Sequence, residues 1–153
     1  MGELLPKPPT LVPKIGLVEV GMPTRILIAD DNALVRRALR VLIETNEDWK
    51  VCAEAVNGRD AVAKAFELRP DLIVMDFLMP MLNGIQAARE IGKEAPTPPM
   101  LLYTMFLTSQ LAEEARAAGF EAAICKDSSG ELMAGIRALL RHESFFPPLA
   151  ALV

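Results

Sequence analysis

Leu72-Ile73-Val74-Met75-Asp76-Phe77-Leu78-Met79-Pro80 is the stretch whose reading decides the fold. Four consecutive apolar residues, preceded by Pro70, read as a short strand buried on both faces, the habit of strands in parallel sheets. The run ends abruptly in a carboxylate. Met79-Pro80 and then Asn83-Gly84 mark a loop that leads into a helix. Open α/β sheets bind ligands at the carboxyl ends of their strands, which makes Asp76 the first candidate for chemistry. A plainer use also exists, because acids commonly follow strands as helix N-caps.

Outward from this stretch the pattern repeats. Arg25 to Ala29 is an apolar run with β-branched residues and ends in Asp30-Asp31-Asn32. A helix follows, with Val35, Ala38, Leu39 and Leu42 expected on one face. Trp49 to Val56 reads as a second strand, closed by Asn57-Gly58, and Ala61, Ala65 and Leu68 give the next helix its inner face. After Asp76 comes a helix carrying Ile85, Ala88 and Ile91. Gly92 to Pro99 is a proline-rich loop. Met100 to Thr104 is a fourth strand, and Ser109 to Ala118 a helix that Gly119 stops. Ala122 to Cys125 is a fifth strand ending in Lys126. Ser128 and Glu131 have capping-box spacing for a last helix lined by Leu132, Ile136, Leu139 and Leu140.

Five strand–helix alternations demand a parallel sheet with helices on both faces, joined by right-handed crossovers. Each crossover returns the chain, so every strand's carboxyl end lies on one rim. Asp30, Asp31, Asp76, Thr104 and Lys126 each close a strand and are expected to meet there. Three carboxylates so placed repel one another unless a cation is present. An oxygen-rich set suits a hard divalent ion, Mg²⁺ above all. A lysine and a hydroxyl beside them equip a carboxylate to attack phosphorus and form an acyl phosphate.

Composition bounds the alternatives. The 153 residues are 52% hydrophobic and 24% charged, as in a globular domain able to bury its own core. A net charge of -4 and a pI of about 5.1 argue against a nucleic-acid surface. No apolar run is long enough to span a bilayer, and the proline-rich N-terminus does not read as a signal peptide. Cys52 and Cys125 sit in apolar runs without metal-ligand spacing, which reads as two buried thiols in a reducing cytoplasm. Residues 1–24 read as a dispensable, flexible extension, 25–141 as the domain, and 142–153 as a short tail. Within that tail Phe145-Phe146-Pro147-Pro148-Leu149 is apolar. It either folds back onto the body, starts a linker or docks a partner. His142, the only histidine, reads as a cation beside a helix C-terminus.

The residues quoted above resemble the receiver domain of two-component response regulators. The resemblance is carried by Ile26-Leu27-Ile28-Ala29-Asp30-Asp31-Asn32, Asp76-Phe77-Leu78-Met79-Pro80 with Asn83-Gly84, Tyr103-Thr104 and Cys125-Lys126-Asp127, and runs from about Thr24 to Arg141. It implies a flavodoxin-like (βα)5 fold with strand order 2-1-3-4-5. By position, Asp76 resembles the phospho-accepting aspartate. Asp31 and Asp76 resemble direct Mg²⁺ ligands, with the backbone carbonyl of Leu78 as a third and Asp30 acting through water. Thr104 and Lys126 resemble the switch hydroxyl and the phosphate-pairing lysine. The resemblance further implies a sensor histidine kinase or histidine phosphotransfer protein as donor. It implies a domain that catalyses only its own phosphorylation and dephosphorylation, and an output face spanning the Ser109 helix, the Ala122 strand and the last helix, open to a partner or a second copy.

Three positions depart from the family's habit. Ala123 stands where a Tyr or Phe is usual, Met105 where a small residue is usual, and Asp127-Ser128-Ser129 follows the lysine in place of proline. An alternative therefore stands beside the first reading: a receiver-like interaction module that no longer switches on phosphorylation. Two enzyme-like and cofactor-binding alternatives fit less well. A haloacid-dehalogenase-type phosphatase places a second acid two residues after its nucleophile, where this chain has Leu78. In a flavodoxin, Asp30-Asp31 would repel the flavin phosphate.

Overall fold

The computed structural model describes residues 21–148 and Leu152. The N-terminal extension expected over residues 1–24 lies outside the described residues up to position 20. Five strands, β1 (Thr24–Ala29), β2 (Trp49–Ala55), β3 (Leu72–Met75), β4 (Met100–Thr104) and β5 (Ala122–Cys125), form one sheet in the order β2-β1-β3-β4-β5. All pairings are parallel. The helices are α1 (Ala33–Ile43), α2 (Gly58–Leu68), α3 (Gly84–Ile91), α4 (Ser109–Ala118) and α5 (Leu132–Leu140). This is the flavodoxin-like (βα)5 arrangement. The strand order reverses at β1 and β3, so a crevice opens at their carboxyl ends.

Strand alternation divides the apolar residues between two layers. Ile26 and Ile28 face Leu39 and Ile43 of α1 and Leu132, Ile136 and Leu139 of α5. Leu27 and Ala29 face Ala61 and Ala65 of α2, Ile85 and Ala88 of α3, and Leu111 and Ala115 of α4. The inner strands are sealed: Ile28, Ile73 and Leu101 are all 0% exposed. Truncating any one of them to Ala would cost about 2–5 kcal/mol. Among the described residues no helix is long and apolar enough to cross a membrane.

Local chemistry sets the element ends. Asn32, not the acid pair before it, caps α1, accepting from the Leu34 and Val35 amides. Asn83 and Gln86 close a reciprocal capping box on α3. Gly119 takes φ 110° and ends α4.

Four expectations need correcting. Ala38 is exposed, and the stripe of α1 that packs inward is Leu39 and Ile43, with Val35 and Leu42 half-buried. The Ser128–Glu131 capping box does not form. A 3₁₀ turn, Lys126–Glu131, fills that stretch, and α5 starts without a side-chain cap. Cys52 and Cys125 are free thiols as expected, but both are only half-buried. Cys52 is the extra residue in β2 where the register with β1 shifts between Ile26 and Leu27. Leu68 and Leu140 are half-buried, at the margins of their helix faces.

Candidate functional site

The five strand-end residues gather at the carboxyl rim as the topology requires. The register that holds them is continuous. The Asp76 amide donates to the Ala29 carbonyl at 3.0 Å, and the Asp30 amide donates to the Ala55 carbonyl at 3.1 Å. The two acids thus sit side by side at the ends of β3 and β1. Asp30 is 1% exposed, Asp76 7% and Thr104 3%. Asp31 is exposed at the lip. Carboxylate oxygens of Asp30, Asp31 and Asp76 all lie within 4.8 Å of one another.

Buried carboxylates need partners, and these have them. The Lys126 ammonium donates to Asp30 Oδ2 at 2.7 Å and to Asp76 Oδ2 at 3.0 Å. The second oxygen of Asp30 accepts from the Asn32 amide at 2.9 Å, and that of Asp76 from the Phe77 amide at 2.7 Å. Among the described residues no buried side-chain polar atom lacks a partner. The repulsion between Asp30 and Asp76 is therefore met by an internal cation, which spans β1 and β3 from the end of β5.

The electrostatics are those of a desolvated cluster. Burial pushes the Asp76 carboxyl up from its ordinary value, and the neighbouring Asp30 charge adds to that rise. Hydrogen bonding from Lys126, and to a smaller extent from Thr104, works against it. Lys126 is held above its ordinary value. Burial pulls it down, but the two aspartates together outweigh burial. The lysine thus opposes the rise at Asp76, and a second cation would compete with that lysine for the same oxygens.

Close backbone approach shapes the floor. Gly84, which opens α3, donates its amide to the Phe77 carbonyl at 2.7 Å. A Cβ at Gly84 would lie 2.2 Å from the Asp76 carbonyl oxygen. Only glycine lets α3 start this near the loop that follows Asp76. Beyond the acids a cleft of about 340 Å³ opens, lined by Asp76, Leu78, Thr104, Met105, Phe106 and Glu114. Leu78 and Phe106, two of the lining residues, are 63% and 77% exposed, so this mouth of the cleft presents apolar surface.

The profile of the response regulator receiver domain matches residues 26–137 of this sequence. The chain belongs to that family. Among curated relatives it is 36% identical over 128 residues to the response regulator protein VraR of Staphylococcus aureus, covering 83% of this chain and 61% of that protein. The receiver thus spans about three-fifths of the length of the curated relatives it matches. Among solved structures it resembles a LuxR-family two-component response regulator from Aurantimonas sp. SI85-9A1, with 33% identity, a TM-score of 0.80, and coverage of 84% of this chain and 94% of that one. It also resembles the response regulator domain of Thermotoga maritima CheB, with 33% identity, a TM-score of 0.73, and coverage of 78% and 97%.

The receiver's departures from family habit occupy defined places. Ala123 is fully buried in β5. Met105 is half-exposed directly after Thr104, and its carbonyl accepts from the Cys125 thiol at 3.2 Å. One feature of the rim escaped sequence reasoning: Lys126 pairs with Asp30 as well as Asp76, which strand order alone does not specify. Phe145 joins the sheet edge beside β5, which is the folding back that the apolar Phe145-Phe146 pair left open among three possibilities.

Proposed function

We propose that this receiver accepts a phosphoryl group on Asp76 from a phosphohistidine, carried by a sensor histidine kinase or a histidine phosphotransfer protein, and thereby switches its association with a partner or a second copy. The single observation that supports this most strongly is the double contact of Lys126, 3.0 Å from Asp76 Oδ2 and 2.7 Å from Asp30 Oδ2, which sets a cation against a buried carboxylate. An ionised carboxylate is the nucleophile the chemistry needs.

The step is an exchange at phosphorus. An Asp76 oxygen attacks, a P–O bond to the carboxylate forms, and the P–N bond to the donor imidazole breaks. Lys126 gives up its contact with Asp76 and turns to a phosphoryl oxygen, keeping Asp30 as its anchor. The Thr104 hydroxyl, buried at the end of β4, donates to another. The carboxylate set of Asp30, Asp31 and Asp76, with the Leu78 carbonyl, fits a hard divalent cation by donor type and by its 4.8 Å spread. Mg²⁺ held there would supply charge neutralisation for the phosphoryl oxygens. Dephosphorylation is a separate step: water attacks phosphorus, the P–O bond to Asp76 breaks, inorganic phosphate leaves, and the carboxylate is restored. The protein acts as a catalyst only on itself. Two free thiols suit a reducing cytoplasm.

Intact-mass measurement after incubation with acetyl phosphate and Mg²⁺ tests this reading. The expected result is one phosphoryl group on the native chain and none on Asp76→Asn. No adduct on the native chain would favour an interaction module without phosphorylation.

A further inference from the structure

The segment after α5 lies along the free edge of β5. The Ala123 amide donates to the Phe145 carbonyl at 3.0 Å, and the Phe145 amide donates to the Glu121 carbonyl at 2.9 Å. Ala122 and Phe145 form a parallel bridge. Alternation then sends the two phenylalanines to opposite sides of the sheet. Phe145 packs with the α1/α5 layer, and Phe146 with the α2/α3/α4 layer. Small residues admit both rings. Ala123 leaves room on the side where Phe146 lies, and a Cβ on Gly135 would come within 3.5 Å of the Phe145 ring and 2.6 Å of Ile124 Cδ1. The Arg116 guanidinium of α4 sits 3.9 Å from the centroid of Phe146.

The docked segment shares a wall with the rim. Met105, Phe106 and Thr108 line the cleft over Asp76 and Thr104. The same three residues line the neighbouring cleft of about 630 Å³ that holds Ala123, Phe145 and Phe146. Met105 directly follows Thr104 in the chain and is tied to β5 by the Cys125 thiol. A group at Asp76 that draws in the Thr104 hydroxyl therefore acts beside Met105, which lines both clefts.

We propose that Phe145–Pro148 is an intramolecular ligand of the α4–β5 edge, docked while Asp76 is free and released when Asp76 carries a phosphoryl group. This rests on the reading of Asp76 as the phosphoacceptor. Release bares the Ala122–Ile124 strand edge and the Phe146 seat together, and both then become available to a partner. Because the coupling is between binding equilibria, it runs both ways: a weakened tail favours the occupied rim.

Beryllofluoride with Mg²⁺, a phosphoryl mimic that binds reversibly, tests this on the full chain. Amide exchange at Ala123 and Phe145, followed by NMR, should accelerate about tenfold or more on saturation, as local opening demands. Phe146→Ala, and the exposed Arg116→Gln, which leaves the core intact, should each bind beryllofluoride several-fold more tightly than the native chain. If the native chain binds it, Asp76→Asn does not, and neither amide responds, the tail is a fixed cap and the proposal is overturned while the phosphoacceptor reading stands. Unchanged affinity in both variants overturns it likewise. If the native chain does not bind beryllofluoride at all, both readings fall together.

Discussion

The Lys126 ammonium donates to Asp76 Oδ2 at 3.0 Å across fifty positions of sequence, and the same nitrogen reaches Asp30 Oδ2 at 2.7 Å. Two acids that are 1% and 7% exposed thus share one cation. Removing one partner of a buried charged cluster costs far more than the cluster is worth intact, because the remaining charges stay buried and unpaired. Lys126→Met should lower stability by on the order of 3 kcal/mol in urea unfolding without divalent ions. Mg²⁺ should return part of that loss if, as proposed, it takes the same oxygens in the folded state. Equal stability of the two chains without Mg²⁺ would show that the acids do not depend on the lysine.

Gly84 sets a second requirement. Its missing Cβ would stand 2.2 Å from the Asp76 carbonyl oxygen, a backbone atom that cannot turn aside. Gly84→Ala should therefore push the Asp76 loop off its position and destabilise the fold by about 1–3 kcal/mol, the usual cost of overpacking. Mg²⁺ affinity, read by calorimetry, should fall in the same variant, because Asp76 and Leu78 lie on the displaced loop. Unaltered Mg²⁺ binding in Gly84→Ala would mean that this loop does not set the metal geometry.

Glu54 on β2 provides a control away from the rim. It accepts from Arg36 Nε at 2.9 Å and from Arg40 Nη2 at 2.8 Å. Burial alone would raise its pKa, but the two arginines outweigh burial and hold it below the ordinary 4.5. A depressed folded-state pKa means that the unfolded chain binds the proton first as the pH falls. The contribution is present above 4.5 and is lost as pH drops through the folded value. Glu54→Gln should cost about 1 kcal/mol at neutral pH, the scale of a partly exposed ion pair. The difference from the native chain should shrink in unfolding series run below 4.5. A difference that stayed constant with pH would assign the loss to packing.

Most of this architecture was legible in the sequence for physical reasons that can be named. Leu72 to Met75 is apolar without alternation because β3 is buried on both faces, and all four residues are indeed sealed. Five such runs with helices between them leave a parallel sheet as the economical answer, and one common rim follows from it. Other features depend on three-dimensional neighbours that a sequence does not display. Ala38 matches the helical period as well as Leu39 does, yet α1 is rotated so that Leu39 and Ile43 face the sheet. Ser128 and Glu131 have the spacing of a capping box, but the chain leaves β5 through a 3₁₀ turn. Lys126 could be expected at the rim, but not its simultaneous grip on Asp30. The tail left three possibilities open at the level of sequence. The one realised by Phe145 and Phe146 needed an empty seat at Ala123 and Gly135, which are distant in the chain.

The most direct test is to locate the acceptor atom itself. After treatment with acetyl phosphate and Mg²⁺, borohydride reduction converts an aspartyl phosphate to homoserine, and peptide sequencing by mass spectrometry reads its position. Homoserine at position 76 alone, lost in Asp76→Asn and strongly diminished in Lys126→Met, is the expected result. Homoserine at Asp30 or Asp31, or none anywhere in the chain, would contradict the assignment of Asp76 as the phosphoryl acceptor.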